Sequence, residues 1–151
     1  MKKLVIRLLA VIVIGAVLIQ LVPYGRDHDN PPVVNEPEWS SESDRALVAR
    51  ACFDCHSNET EWPWYSNIAP VSWWTQNHVD EGRAELNFSE WSWDYDELDE
   101  IAESVMEGEM PPGYYENGPS SPNLTSWERE QLIWALVNTF GYKENGRQDD
   151  D

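Results

Sequence analysis

The chain opens on a nineteen-residue apolar run, Leu4 to Val22, broken only by Arg7, Gly15 and Gln20. As a helix rising about 1.5 Å per residue it would be roughly 28 Å long, close to the hydrocarbon thickness of a bilayer. It is apolar all round instead of striped, which argues against a core helix and for a single transmembrane crossing. Lys2, Lys3 and Arg7 precede the apolar centre, whereas Arg26, Asp27 and Asp29 follow it. The positive-inside bias then puts the N-terminus in the cytoplasm and everything after Pro23 on the extracytoplasmic or periplasmic side. No clear small-x-small cleavage site precedes Pro23, so residues 1–25 are expected to be an uncleaved signal-anchor in the inner membrane, not a removed signal peptide.

Beyond the anchor the pattern is helical. Residues 26–40 hold Pro31, Pro32 and Pro37 among acids and Asn, a composition that stays extended and predicts a spacer. The domain is expected over residues 41–142. Ser41 to Asp44 fits a capping box, and Ala46, Leu47 and Ala51 predict a short helix running into Cys52. A second helix is expected from Pro70 to about Leu86, with Val71, Trp74 and His78 along one face. A third is expected from Asp96 to Glu109, carrying Leu98, Ile101, Ala102 and Val105 and stopped by Pro111 and Pro112. The last begins at the capping box Thr125–Glu128, carries the stripe Ile133, Leu136, Val137 and Phe140, and ends at Gly141. No run alternates with a period of two, so the fold class is all-α. Residues 143–151 form an acidic tail expected to be disordered.

Composition adds two outliers to an ordinary globular mix of 41% hydrophobic and 25% charged residues. The first is charge: 28 acids against 10 Lys and Arg give a net −18. All the acids lie after the anchor, so with Lys2, Lys3 and Arg7 set aside the exported part stands near −21. Nucleic acid is excluded as a partner, since phosphate contacts need clustered basic groups. A protein partner would need a basic docking face. The second outlier is nine Trp. Trp62, Trp64, Trp73, Trp74, Trp91 and Trp93 crowd the stretch after the cysteines, where they either wall an apolar cofactor or supply bulk to a small core.

The two cysteines are three positions apart, in Cys52-Phe53-Asp54-Cys55-His56. C-x-x-C-H is the attachment signal for c-type haem: each thiol adds to a vinyl group and the adjacent His binds the iron. A thioredoxin-like dithiol would want a βαβ context, a structural zinc site would want two more ligands, and a plain disulfide leaves His56 unexplained. One covalent haem c on Cys52 and Cys55, with His56 on the iron, is the reading. Only one such motif exists, which excludes a di-haem enzyme.

A sixth iron ligand has few candidates among three Met and three His. Met110 precedes Pro111, which pushes it out of the helical region and into a loop suited to reaching a crevice. Met106 belongs to the third helix and is better read as core, and His28 lies in the spacer. His78 on the second helix is the alternative to Met110. Arg83 is a candidate for a haem propionate or, equally, for a local helix pair.

Several segments then carry a family resemblance. Cys52-Phe53-Asp54-Cys55-His56-Ser57-Asn58-Glu59-Thr60-Glu61-Trp62-Pro63-Trp64-Tyr65-Ser66, with Ala69 to Trp74, Glu81-Gly82-Arg83, Leu86 to Trp91 and Gly108-Glu109-Met110-Pro111, resembles the small bacterial haem-binding domain family. Its members are similar to mono-haem c-type cytochromes. The resemblance spans about Asn30 to Phe140 and includes Asn30-Pro31-Pro32-Val33. It implies an N-terminally anchored protein with covalent haem on Cys52 and Cys55, iron on His56, and Met110 as the sixth ligand. Many members carry a His between the Met-Pro loop and the last helix, where this chain has Glu116-Asn117-Gly118-Pro119-Ser120. The resemblance supplies no electron partner. The expected function is an electron carrier, not an enzyme; the alternative is a haem sensor or peroxidase-like enzyme with an open sixth position.

Overall fold

A computed structural model describes residues 1–92, 95 and 98–141. Six α-helices are formed there: α1 (Lys2–Ile19), α2 (Glu42–His56), α3 (Val71–Glu85), α4 (Glu100–Met106), α5 (Gly113–Glu116) and α6 (Ser126–Phe140), with a short 3-10 helix Trp64–Asn67 before α3. The only β-type pairing among the described residues is an isolated bridge between Asn35 and Glu90, so the fold is all-α. Trp93, Asp96 and the expected tail 143–151 lie outside the described residues.

Among the described residues no helix is long and apolar enough to cross a membrane. The expected crossing segment is helical, but α1 stops at Ile19, short of Val22, and Lys2, Lys3 and Arg7 all fall within its 18 residues. No residue of α1 is buried. Its large apolar side chains from Leu4 to Leu18 are 53–67% exposed.

The ends of α2 and α6 follow local chemistry. Ser41 Oγ accepts from the Asp44 amide at 3.1 Å, and Thr125 and Glu128 form the full capping box. Gly141 ends α6 at φ +86°, a backbone region that side chains with a Cβ rarely adopt. α4 ends at Met106, short of the expected Glu109, because Gly108, at φ +77°, reverses the chain. The amides of Glu109 and Met110 then donate back to the Ser104 carbonyl, closing the helix end.

α2 packs on α3 and α6, and α4 packs on α6. Val48, Ala51 and Phe53 of α2, Phe88 and Trp91, Ala102 and Val105 of α4, and Leu132, Ala135 and Leu136 of α6 form one core. The buried face of α6 is thus centred on Leu132 and Leu136, with Ile133, Val137 and Phe140 at its margin. Trp39 covers the core from the N-terminal side, its ring 5.5 Å from that of Phe88 and 5.8 Å from that of Phe140.

On α3 the expected apolar face is the outer one: Val71 and Trp74 are exposed, and Ser72, Val79 and Gly82 are buried. The reason is proximity. A Cβ on Gly82 would lie 2.5 Å from the Cys55 carbonyl oxygen, so only small residues let α3 come this close to α2. The obstructing atom is backbone and cannot swing away. Gly82→Ala should therefore lower stability by about 1–3 kcal/mol, the usual cost of overpacking, despite the better helix propensity of Ala. Urea denaturation checks this, and an unchanged midpoint would show that the helices can separate at no cost.

Residues 27–40 form no helix and lie along the domain. The Asn30 side chain donates to the Thr60 carbonyl and Asn35 to the Trp91 carbonyl, while the amides of Val34 and Asn35 both donate to Ser89. Arg45 binds Glu36 through two nitrogens at 2.7 and 2.5 Å. The segment is a strap as well as a spacer.

Candidate functional site

Cys52, Cys55 and His56 are the last turn of α2, which places both thiols and the imidazole on one short piece of rigid backbone. Both cysteines are free thiols and half-buried. Burial pushes the Cys52 thiol up to about 12, and it pushes Cys55 up to about 11 with help from the Asp54 charge and against Arg83. Both are therefore protonated at neutral pH.

His56 Nδ1 lies 3.1 Å from the Leu86 carbonyl oxygen and donates to it in the tautomer that leaves Nε2 its lone pair. Burial lowers its pKa, with the carbonyls of Leu86 and Gly82 and the Glu85 charge pulling the other way. A neutral imidazole with one nitrogen tied to backbone is the state that binds a metal. The tie is reciprocal, since the Phe88 amide donates to the His56 carbonyl at 2.8 Å.

The loop after the motif is locked by buried polar groups. Ser57 Oγ donates to the Phe53 carbonyl, the Asn58 amide to Ser89 Oγ, and Asn87 Nδ2 to Asn58 Oδ1 at 3.0 Å. Asn58 and Asn87 begin Asn-x-Ser/Thr patterns, but both are buried and bonded, so neither is a surface acceptor for glycans. Arg83 is the hub of this region. It donates to the Ser57 carbonyl at 2.7 Å, the Asp29 carbonyl, Asn30 Oδ1 and Thr60 Oγ1, the last three each at 3.0 Å. A guanidinium engaged this fully is a clamp joining motif loop to strap.

The structure assembles Cys52, Cys55 and His56, and it puts the two candidate sixth ligands in different settings. Met110 lies in the loop between α4 and α5, 39% exposed, its amide held by the Ser104 carbonyl. His78 sits one turn before Gly82, the point where α3 touches Cys55. Its Nδ1 donates to the Trp74 carbonyl at 2.8 Å, and its ring lies 4.2 Å from Trp74 and 5.1 Å from Tyr114. His28 packs elsewhere, stacked on Trp62 at 4.7 Å with Nε2 on Ser66 Oγ at 2.9 Å.

Three contacts are invisible in the sequence pattern. Tyr115 Oη donates to Asp54 Oδ2 at 2.6 Å, fastening α5 to a residue inside the motif, and the adjoining carboxylate raises the Tyr115 pKa further after burial has raised it. Tyr65 Oη meets Ser120 Oγ at 2.5 Å, and Arg129 pairs with Glu116, so residues 116–120 are held by polar contacts. The nearest signal was the adjacency of Gly113-Tyr114-Tyr115 to the Met-Pro-Pro loop. A polar hollow of about 430 Å³ beside Asp54 and Tyr115 is lined by Arg45, Arg50 and Glu59 and does not include the cysteines.

The donor set fits a covalently attached haem. Two unpaired thiols and a neutral His with Nδ1 engaged are what the attachment needs. In addition Trp73 Nε1 and Thr75 Oγ1 are buried with no hydrogen-bond partner among the described residues. Thr75 lies seven residues before Gly82, on the face of α3 that meets Cys55. Together the fold and site are those of an all-α haem-binding protein. The chain belongs to the haem-binding domain family, whose model matches residues 14–136. No curated relative and no solved structure matches it.

Tyr115→Phe should lower stability by roughly 1.5–3 kcal/mol, the range for a hydrogen bond to a charged group, because it leaves Asp54 Oδ2 without its donor. Thermal unfolding of the haem-loaded protein checks this. A loss below a few tenths of a kcal/mol would show that water replaces the phenol.

Proposed function

We propose that the protein is a mono-haem c-type cytochrome, held at the membrane by α1, that passes single electrons on the extracytoplasmic side. The observation that carries this is the pairing of His56 Nδ1 with the Leu86 carbonyl beside two free thiols. When bound, the haem supplies a one-electron couple. The chain's own part is to fix the group covalently through Cys52 and Cys55, to keep the His56 tautomer and ring orientation constant, and to exclude water with the aromatic side chains around the motif. A ligand that does not move between oxidation states keeps the reorganisation on electron transfer small.

Met110 is the proposed sixth ligand, and Met/His ligation would raise the potential. A second reading gives that position to His78, favoured by the bond from its Nδ1 to Trp74, which directs Nε2 away from its own helix. The 39% exposure of Met110 also leaves room for an open position, as in a sensor or peroxidase-like enzyme.

Membrane attachment rests on the apolar side chains of α1, none of which the domain covers. The charges that interrupt it are Lys2, Lys3 and Arg7, all at one end, from where long basic side chains reach headgroups. The N-terminus is then cytoplasmic. The redox partner is a protein with a basic docking face, complementary to an exported part near −21.

Haem should stay with the chain through acid acetone extraction and denaturing electrophoresis; its loss in both would exclude thioether attachment. Met110→Ala should abolish the weak sulfur-to-iron absorption band and lower the potential, while His78→Ala leaves both unchanged. The reverse moves the ligand to His78. Carbon monoxide binding by the unaltered reduced protein would place it with the open-site proteins. Electron transfer to a basic oxidant should fall steeply with salt, since a Debye length of about 8 Å at physiological ionic strength screens the attraction. Rates flat in salt and equal for basic and acidic oxidants would leave the acidic surface without a docking role.

A further inference from the structure

Two long uncharged stretches stand out in this acidic chain. Residues 8–25 carry no Asp, Glu, Lys or Arg, and neither do residues 62–79. The first contains most of α1 and the turn after it, and the second contains the 3-10 helix and most of α3.

The fold joins them at one point. Gln20, the residue that caps α1, donates from Nε2 to the Ala69 carbonyl at 2.8 Å and accepts from the Ala69 amide at 3.0 Å. Arg26 adds a third bond, donating to Gln20 Oε1 at 2.8 Å. Two bonds to the backbone of one residue resist rotation as well as separation. Ala69 itself is buried, but the side chains around it point to solvent: Trp64 is 77% exposed, Ile68 46% and Val71 40%, and on the anchor side Leu21 is 77% exposed.

We infer that Trp64, Ile68 and Val71 form a seat for the headgroup and upper acyl region of the same bilayer that α1 enters, so that the haem domain lies against the membrane instead of swinging from it. The inference rests on the proposed anchoring by α1. Its occupant is lipid for three reasons. The surface is continuous with the end of the apolar helix. It holds an indole and branched aliphatic groups, the chemistry of the interfacial belt. It is also the longest charge-free part of the domain, where an acidic surface would be repelled by anionic lipid and would lose hydration on approach. Gln20 fixes the depth: the residue that closes the helix cannot lie far from Ile68 and Val71 while it binds the peptide between them.

The test uses the full-length, haem-loaded protein in vesicles of phosphatidylcholine and phosphatidylglycerol. Both native cysteines are consumed by haem, so Ile68→Cys, Trp64→Cys and, as a control on α6, Trp127→Cys each offer one thiol for a nitroxide label. Trp127 is 66% exposed. Collisions with dissolved oxygen relative to a water-soluble nickel chelate should be several-fold more frequent for labels at 68 and 64 than at 127. Equal ratios at all three positions, in protein that leaves the vesicles only with detergent, would overturn the seat and leave the anchor standing. Release by salt alone would instead sink the anchor and the seat with it. Labels that are water-exposed in vesicles but shielded in native membranes would assign the surface to a protein and likewise overturn the lipid seat. The haem spectrum of each variant reports that the domain is folded.

Discussion

The structure depends on holding one imidazole still at the frayed end of a helix. His56 is the last residue of α2, where intrahelical bonds run out and a side chain would ordinarily be mobile. Two bonds to the segment after α3 prevent this, one from the ring to Leu86 and one to the His56 carbonyl from Phe88. That segment must therefore be fixed in turn. Gly82 brings α3 into contact with Cys55, and Asn87, Ser89 and Asn58 bond one another beneath the motif loop. Each of these polar groups is buried, so each lost partner would leave a desolvated atom unsatisfied, which makes the arrangement cooperative.

Arg83 extends the same constraint to the N-terminal strap. Its fork spans Ser57 and Thr60 on one side and Asp29 and Asn30 on the other. Prolines in the strap cannot donate hydrogen bonds, but they still accept them, and the Pro32 carbonyl takes one from Asn58. The strap is thus bound by its carbonyls, by Asn side chains and by Trp39 in the aromatic core. The N-terminal strap and the loop that follows His56 are thus coupled through the Arg83 guanidinium together with the Asn30, Asn35 and Asn58 bonds.

Patterns set by the local chain were legible in the sequence. The helix starts at Ser41 and Thr125, the all-α class, and the grouping of Cys52, Cys55 and His56 all follow from spacing and capping. Readings that depended on what lies across a gap failed. Val71 and Trp74 have the periodicity of a buried face, yet the face that packs is the one small enough to approach Cys55. The partners of Arg83 are backbone carbonyls and short polar groups from 23 to 54 positions away, which no local pattern announces. Tyr115 carried no local signal, since a phenol can bond whichever carboxylate the fold brings to it. The 3-10 helix and α5 are four residues each, too short for any periodicity to develop.

Charge divides the molecule in a way that bears on electron transfer. An excess of acids spread evenly would keep the domain away from anionic lipid and leave its orientation free. Here the acids are absent from the whole of residues 62–79, and the end of α1 is bonded inside that stretch. On the proposed anchoring by α1, repulsion from a membrane surface would be weakest on the side of residues 62–79, and the acidic faces would be turned toward solvent, where a basic partner would arrive. Electrostatic steering improves an encounter only if the favoured approach also brings the redox centre near the contact. A domain clamped at Ala69, with α3 running from that clamp to Cys55, has a fixed relation between the end of α1 and the helix that carries Cys52, Cys55 and His56. Orientation then narrows the set of approaches, and the rigid site at His56 makes each productive one repeatable.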